Sequence, residues 1–270
     1  MPGTLVLAGG GKMGGALLAG WLNKGMGGAD IIVVEPDSKT ASAISEKHGV
    51  AVVEIVGDLD ADLTPETVVF AVKPQSMDDV APAYGGYAGP DTVFLSIAAG
   101  CTIKLFESHL GACPVVRSMP NTPAAIGLGM TVACANRQTS DGQRARCQRL
   151  LEAVGEVAWV SDEALMDAVT AVSGSGPAYV FLLAESMAEA GIQAGLPAEL
   201  SQHLARVTVA GAGELLHQSE EAAAQLRTNV TSPGGTTEAA LSVLMGGAGG
   251  QPLVTKAIAA ATKRAKELAG

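Results

Sequence analysis

The chain has 270 residues, of which 48% are hydrophobic and only 16% are charged, a composition that excludes an intrinsically disordered protein. Its formal net charge of −10 argues against binding to nucleic acid, which attracts proteins through Lys and Arg side chains. The longest apolar helical pattern contains two glutamates and the first apolar run is too short for a signal sequence, so we expect no membrane span and a cytoplasmic protein.

Short β-branched runs alternate with helical patterns from residue 4 to about residue 162. The runs that predict strands are "TLVLAG", "DIIVVEP", "TVVFAVKP", "DTVFLSIAAG", "CPVVRSMPN", "MTVACAN" and "EVAWV". Continuous apolar strands separated by helices are typical of a mainly parallel sheet that is covered on both faces. A helix is predicted over residues 140–154, because its apolar side chains recur on one helical face.

A glycine-rich turn follows the first predicted strand. In "GGGKMGGALLAGW", Gly9, Gly11 and Gly14 have the spacing G-x-G-x-x-G. The first glycine permits a tight turn, the second lets a pyrophosphate approach the backbone, and the third lets helix and strand touch. Because the motif follows a strand, opens a helix and precedes a second strand, it predicts a bound dinucleotide.

The second predicted strand ends in Glu35, which leaves the choice of dinucleotide open. An acidic residue at this position usually bonds the ribose hydroxyls of NAD and repels the additional phosphate of NADP. Ser38 and Lys39 are close enough in sequence to moderate that repulsion. Alternatively, Glu35 is simply a solvated surface residue.

Three further loops are expected beyond the carboxyl ends of the strands, where ligands bind in open parallel sheets. "AVKPQ" places Lys73 there, either near the cofactor or as an ordinary surface lysine. "SIAAG" offers Ala98 and Ala99, which would let a nicotinamide ring approach the backbone or would simply pack tightly. "SMPNTP" brackets Asn121 and Thr122 with prolines, which suits a wall of the site or a rigid connection.

The sequence contains no recognisable metal site or nucleophile. The four cysteines are widely spaced, without a Cys-x-x-Cys pair, and the four histidines have no ligand spacing, so no metal is predicted. No Ser-His-Asp or Cys-His arrangement can be assembled. With a dinucleotide site and no nucleophile, hydride transfer is the expected chemistry.

After Asp162 the strand patterns stop and helical patterns rich in Ala, Leu and Gly take over. We therefore expect a dinucleotide-binding domain over residues 1–162 and a helical domain over residues 163–270. A broad apolar helical surface would need a second subunit to cover it. Within the helical half, "TSPGGTT" is either a surface turn or a socket for a small anion.

Several of these segments together resemble the motifs of the pyrroline-5-carboxylate reductase family, over nearly the whole chain. They are "GGGKMGGA", "AVKPQ", "MPNTP", "SGSGPAY" and above all "NVTSPGGTTEAAL". The resemblance implies an α/β fold with an N-terminal Rossmann-like, doubly wound sheet and an all-α C-terminal dimerisation domain. It also implies a homodimer or higher homo-oligomer that reduces a cyclic imine to L-proline with NADP(H) or NAD(H). The helical half itself predicts at least a dimer, with the site completed across subunits.

The resemblance also implies roles for particular residues. Cofactor contacts would come from Gly9, Gly11, Lys12, Met13, Gly14, Glu35, Ala71, Val72, Lys73, Pro74, Ala98, Ala99 and Asn229. Substrate contacts would come from Glu163, Ser232, Gly235, Thr236 and Thr237. Thr237 is the candidate catalytic residue, as the hydrogen-bond partner of the ring nitrogen. The chain departs from the family pattern at Lys12, where Asn or Gln is usual, and Asp58 only loosely matches a usual cofactor-side Asn.

With the resemblance included, the anion socket is the favoured interpretation of "TSPGGTT", because backbone N–H groups at a helix start attract a carboxylate. One rival function is a β-hydroxyacid dehydrogenase of similar build, but "SGSGPAY" lacks the catalytic Lys of those enzymes. Another is a nonenzymatic dinucleotide sensor, which would have no need of a rigid anion loop.

Overall fold

The computed structural model describes residues 4–269, which divide into two compact units. The first unit comprises residues 4–174 and 262–269, and the second comprises residues 175–261. The predicted boundary at residues 162 and 163 lies just after the last strand. Residues 163–174 belong to the first unit, where Met166 and Ala171 are buried.

Eight strands form one sheet in the first unit. They are β1 (Leu5–Ala8), β2 (Ile31–Val34), β3 (Ala51–Val53), β4 (Thr67–Phe70), β5 (Val93–Ser96), β6 (Val115–Met119), β7 (Gly129–Ala135) and β8 (Gly155–Trp159). Their order is β3-β2-β1-β4-β5-β6-β7-β8, and neighbouring strands are parallel except for the antiparallel pair β6 and β7. The predicted mainly parallel, doubly wound sheet is confirmed.

The helices account for most of the remaining chain. They are α1 (Lys12–Asn23), α2 (Ser38–His48), α3 (Met77–Val80), α4 (Ile103–Leu110), α5 (Asp141–Glu152), α6 (Met166–Val169), α7 (Gly176–Gln193), α8 (Ala198–Gln218), α9 (Ala223–Asn229), α10 (Thr236–Leu244) and α11 (Gly250–Ala269). None of the helices within residues 4–269 combines the length and the apolar character that crossing a lipid bilayer requires.

The sheet separates two hydrophobic clusters, as the alternation of side chains in a strand requires. Leu5 and Leu7 of β1 join one cluster, which packs against α1 and α5 and contains the buried Trp21. Val6 of β1 faces the other cluster, where Phe106 of α4 is also fully buried. Because both faces of the sheet are covered, a ligand can approach the sheet at the ends of its strands.

The second unit is helical throughout. Small residues bring α7 and α8 together, because Ala188 and Ala205 are buried and the Ser201 hydroxyl donates to the Ala188 carbonyl at 2.6 Å. Large apolar side chains on α7 remain exposed, with Phe181 at 68% and Leu182 at 60%. The unit therefore has the apolar surface that the sequence predicts.

Candidate active site

The turn between β1 and α1 has the shape that the glycine spacing predicts. Gly9 has a φ of +98°, and a Cβ there would lie 3.0 Å from the carbonyl of Ala71. A Cβ at Gly14 would lie 2.1 Å from the Gly9 oxygen, so helix and strand touch at this point. A Cβ at Gly11 would meet nothing within 4 Å, so its backbone is open to a ligand. The three glycines thus fit a dinucleotide's pyrophosphate.

The start of α1 is suited to an anion. Gly11 is the N-cap residue, it supplies no side-chain hydrogen bond, and the first turn contains no acidic residue. The amides of a first helical turn lack partners within the helix and carry the positive end of its dipole. Lys12 is exposed and adds a positive charge, while Met13 is partly buried against the core.

The predicted cofactor residues of the first unit lie beyond the carboxyl ends of neighbouring parallel strands. Each follows the carboxyl end of β2, β1, β4 or β5, which are consecutive neighbours and all parallel. Ala71, Val72, Lys73 and Pro74 follow β4, and Ala98 and Ala99 come shortly after β5. Of these, Lys73 and Ala99 are exposed, whereas Ala98 is buried. In open α/β sheets, ligands bind beyond the carboxyl ends of the strands.

The carboxylate of Glu35 is tied to the glycine turn. Its Oε2 accepts the N–H of Gly10 at 2.7 Å, and its Oε1 accepts the N–H of Asp37 at 3.0 Å. Glu35 is half-buried and follows the last residue of β2. The interpretation of Glu35 as a merely solvated residue is wrong, because two backbone donors hold its carboxylate beside the turn.

The side chain of Asn121, in the "SMPNTP" loop, forms hydrogen bonds to the backbone of two other segments. Its amide nitrogen donates to the Ser173 carbonyl at 3.2 Å, and its Oδ1 accepts the N–H of Met130 at 2.9 Å. Thr122 begins a short 3₁₀ helix. Of the two interpretations offered by the sequence, these bonds favour a rigid connection.

Glu163 takes part in a polar contact that sequence reasoning did not find. Its Oε1 accepts from Nη1 of Arg117 at 2.8 Å and from the N–H of Ile103 at 2.9 Å. Arg117 lies in β6 and is only 4% exposed, whereas the Glu163 side chain is 29% exposed. A charged residue within the apolar run "CPVVRSMPN" was the available signal, because a buried arginine requires a partner.

The cysteines of the first unit do not form a reactive site. All four are free and buried. Burial raises the pKa of the Cys101 thiol to about 11 and that of Cys147 to about 12, so both are protonated at neutral pH. Within residues 4–269, no group of three or more His, Cys, Asp or Glu side chains is arranged to hold a metal ion.

In the second unit, the segment from Ser232 to Gly235 is a tight turn that leads into α10. Gly234 has a φ of +70°, and the N–H of Gly235 donates to the Ser232 carbonyl at 3.0 Å. Gly235 is the N-cap of α10, without a side-chain cap, and Thr236 is its first residue. Thr237 is half-buried, whereas Ser232 and Thr236 are exposed. Hydroxyls and helix-start amides therefore lie together at this turn.

An acidic side chain of the protein already uses part of this turn. Glu238 lies in the first turn of α10, and its Oε2 accepts the N–H of Gly234 at 2.8 Å. The turn thus receives a carboxylate from its own helix, which is the kind of group that the sequence predicts it to bind.

Asn229 ends α9 and is exposed, with both ends of its side chain engaged. Its Nδ2 donates to Oε2 of Glu221 at 2.9 Å, and its Oδ1 accepts from Gln225 at 2.8 Å. A cofactor contact by the Asn229 side chain, as predicted, would have to share or replace these bonds.

Comparison with known proteins gives matches along the whole chain. The family described as "Pyrroline-5-carboxylate reductase dimerisation" matches residues 163–268, and the family described as "NADP oxidoreductase coenzyme F420-dependent" matches residues 4–100. A pyrroline-5-carboxylate reductase of Pseudomonas aeruginosa is 41% identical over 266 residues, which cover 98% of this chain and 96% of the relative.

Two solved structures have the same fold over nearly their full lengths. A pyrroline-5-carboxylate reductase from Coxiella burnetii is 36% identical, with a TM-score of 0.92 and coverage of 100% of both chains. A pyrroline carboxylate reductase of Plasmodium falciparum with NADP bound is 29% identical, with a TM-score of 0.82 and coverage of 99% of this chain and 98% of that one.

Proposed function

The chain belongs to the pyrroline-5-carboxylate reductase family, and we propose that it reduces L-1-pyrroline-5-carboxylate to L-proline with NADPH or NADH, the final step of proline biosynthesis. The observation that carries the proposal is the β1–α1 turn, whose three glycines and open helix start fit a dinucleotide in a chain that matches these reductases from end to end. A small-molecule substrate is consistent with the net charge of −10, because an acidic protein repels the phosphates of nucleic acid.

Residues of the first unit would hold the dinucleotide. The first-turn amides of α1, with Gly9, Gly11, Met13 and Gly14, would receive the pyrophosphate, and Lys12 would add a positive charge. Glu35 would face the adenosine ribose. The loops after β4 and β5 would line the nicotinamide end, through Ala71–Pro74 and the pair Ala98 and Ala99. When bound, the cofactor supplies the hydride that reduces the imine carbon.

Residues at the start of α10 would hold the substrate. The amides of Thr236 and Thr237 and the hydroxyl of Ser232 would bind the substrate carboxylate, at the positive end of the helix dipole. Gly235 would allow close approach of the ligand to the backbone. The carboxylate of Glu238 would compete for the same turn until the substrate binds, because it already accepts the Gly234 N–H.

Thr237 is the proposed partner of the ring nitrogen. When the imine carbon gains a hydride, the C=N double bond becomes a single bond, and the nitrogen must gain one proton, before or after the hydride arrives, to give the amine of proline. A free threonine hydroxyl is a weak acid, so Thr237 would orient the ring or relay a proton from water rather than supply one unaided. Most of the acceleration would come from orientation of the two reacting rings.

The roles of Glu163 and Asn229 belong to the same proposal. Glu163 would approach the ring nitrogen rather than the carboxylate, because like charges repel, and it would do so while paired with Arg117. Asn229 would contact the cofactor after exchanging its bonds with Glu221 and Gln225.

The enzyme would act as a homodimer or larger homo-oligomer in the cytoplasm. The match to the dimerisation family and the exposed apolar side chains of α7 support the oligomer. Four free cysteines are typical of a reducing compartment, which supports the location. Fractionation of the cells that make the protein would test this location.

The test of the function is a set of initial rates with pyrroline-5-carboxylate and with NADPH or NADH at equal concentrations. We expect one proline formed for each dinucleotide oxidised. Failure to form proline with either dinucleotide would overturn the proposal. Oxidation of β-hydroxyacids would instead indicate the dehydrogenase rival, and dinucleotide binding without any turnover would indicate the sensor.

A further inference from the structure

A carboxylate at the end of β2 lies beside the glycine turn, and we infer that Glu35 makes this enzyme selective for NADH over NADPH. The inference rests on the proposed function, because it assumes that the β1–α1 turn holds the dinucleotide. The two cofactors differ by one phosphate on the adenosine ribose, so selectivity depends on the charges and hydrogen-bonding groups that face this ribose.

The position of the Glu35 carboxylate is fixed by the backbone. Gly10, whose N–H donates to Oε2 at 2.7 Å, lies between the first two glycines of the dinucleotide motif. Asp37 donates its N–H to the second carboxylate oxygen, Oε1, at 3.0 Å. A carboxylate held by two backbone donors cannot turn away from an incoming phosphate without losing both bonds.

The charges around this carboxylate also disfavour a phosphate. Asp37 is the N-cap of α2, and its Oδ1 accepts from the N–H and the hydroxyl of Thr40 at 2.8 and 2.7 Å. These bonds lower the pKa of Asp37, so it is ionised at neutral pH, and it satisfies an amide of the helix start that a phosphate could otherwise bind. Among residues 4–269, the hydrogen-bond partners of the Glu35 carboxylate are these two amides and no cation.

The positive charge of Lys39 does not outweigh the negative charges that disfavour a phosphate here. It is exposed in the first turn of α2, where its single positive charge is opposed by the two carboxylates of Glu35 and Asp37. A ribose hydroxyl can donate a hydrogen bond to a carboxylate oxygen, whereas an ionised phosphate and an ionised carboxylate are both acceptors. The geometry therefore offers a partner to NADH and repulsion to NADPH.

The experiment measures dissociation constants for NADH and NADPH with the full-length protein, by titration of nicotinamide fluorescence in the absence of substrate. We expect the unmodified enzyme to bind NADH at least about tenfold more tightly than NADPH. Glu35→Gln keeps an oxygen that can accept the Gly10 N–H but removes the charge. In this variant we expect the preference to fall by at least about tenfold, mainly through tighter binding of NADPH.

Two further variants make the result specific. Glu46→Gln removes the same charge from an exposed position on α2, and we expect it to leave the NADH-to-NADPH ratio unchanged. Glu35→Ser removes both the charge and the longer side chain, and it repeats the test if Glu35→Gln folds poorly. Because Glu35 is half-buried, its effect on the ratio should decrease less with added salt than that of an exposed charge.

Each outcome decides something different. Equal affinity for the two dinucleotides in the unmodified enzyme, or an unchanged ratio in both Glu35 variants, overturns the inference and leaves the proposed function standing. Failure to bind either dinucleotide contradicts the proposed function itself, and the inference falls with it.

Discussion

Gly14 lies where the backbone leaves no room for a side chain. A Cβ there would be 2.1 Å from the Gly9 oxygen and 3.2 Å from the Cβ of Ala71. Since Ala71 follows β4, a shift that makes room for a methyl group would displace two of the loops proposed to hold the dinucleotide. The requirement for glycine is therefore steric at this position, and it connects the packing of α1 to the geometry of the site.

Gly14→Ala should impair both folding stability and dinucleotide binding. Overpacking of this kind costs about 1–3 kcal/mol, and we expect NADH affinity to fall at least about tenfold. Gly15→Ala is the matched control, because its Cβ would meet only the Gly10 oxygen at 3.6 Å. That control should be neutral or stabilising by up to about 1 kcal/mol. Thermal denaturation and fluorescence titration measure the two effects, and normal binding by Gly14→Ala would contradict the steric argument.

Thr237 provides the second prediction about a single residue. Thr237→Ala should lower kcat for imine reduction at least about tenfold, because the ring nitrogen loses its hydrogen-bond partner. Thr237→Ser keeps a hydroxyl and should retain most of the activity. Steady-state kinetics with pyrroline-5-carboxylate distinguish the two. If neither variant lowers turnover or substrate affinity, Thr237 does not have the proposed role.

At the level of elements, apolar patterning was sufficient to find most of the sheet. The seven predicted strands are confirmed as β1, β2 and β4 to β8, because buried parallel strands need continuous apolar runs. The missed strand, β3, has three residues and lies at the sheet edge, with Ala51 exposed. Such an edge strand buries too little to leave a strong pattern, and it forms because β2 offers free backbone partners.

Contacts between distant parts of the chain could not be predicted in this way. The glycine spacing predicted the shape of the β1–α1 turn from local geometry alone. By contrast, Glu163 meets Arg117 and Ile103 across separations of 46 and 60 residues, which depend on how the strands are ordered. The same holds for the bond between Glu35 and Gly10, because the strand pattern predicts that Glu35 lies at the end of β2 but not which group its carboxylate accepts from.

Glu163 links β6 to the start of α4, because its Oε1 accepts both from Arg117 of β6 and from the N–H of Ile103. Glu163→Gln tests what the ion pair with Arg117 contributes. Removal of one partner from a buried ion pair costs about 3–5 kcal/mol, and we expect a loss near or below the lower value because Glu163 is 29% exposed. Chemical denaturation measures this loss. The exposed Glu46→Gln serves as the control and should change stability by less than about 0.5 kcal/mol.

The same variant tests the proposed substrate contact of Glu163. If the carboxylate also approaches the ring nitrogen, KM for pyrroline-5-carboxylate should rise in Glu163→Gln while KM for the dinucleotide stays near its normal value. An unchanged KM for the imine, together with lower stability, would assign Glu163 a structural role alone.

At the scale of the whole molecule, the two units differ in how far they bury their apolar residues. The first unit buries them on both faces of its sheet, in two hydrophobic clusters. In the second unit, Val180, Phe181, Leu182 and Leu183 form a consecutive run on α7, and each is at least 47% exposed. A helix that is apolar around most of its circumference is stable in water only when other surfaces cover it. The helical unit therefore requires association with another subunit to cover this surface.

Phe181→Glu should disrupt this assembly. A carboxylate placed in an apolar interface without a partner costs about 3–5 kcal/mol, which corresponds to a subunit dissociation constant raised at least about 100-fold. Sedimentation at assay concentration should show smaller species, and turnover should fall because the proposed site is completed across subunits. Ala112→Glu is the matched control, since it adds the same charge at an exposed loop position in the first unit. A Phe181→Glu protein that keeps its full assembly, or that is fully active as a monomer, would show that α7 does not hold the subunits together.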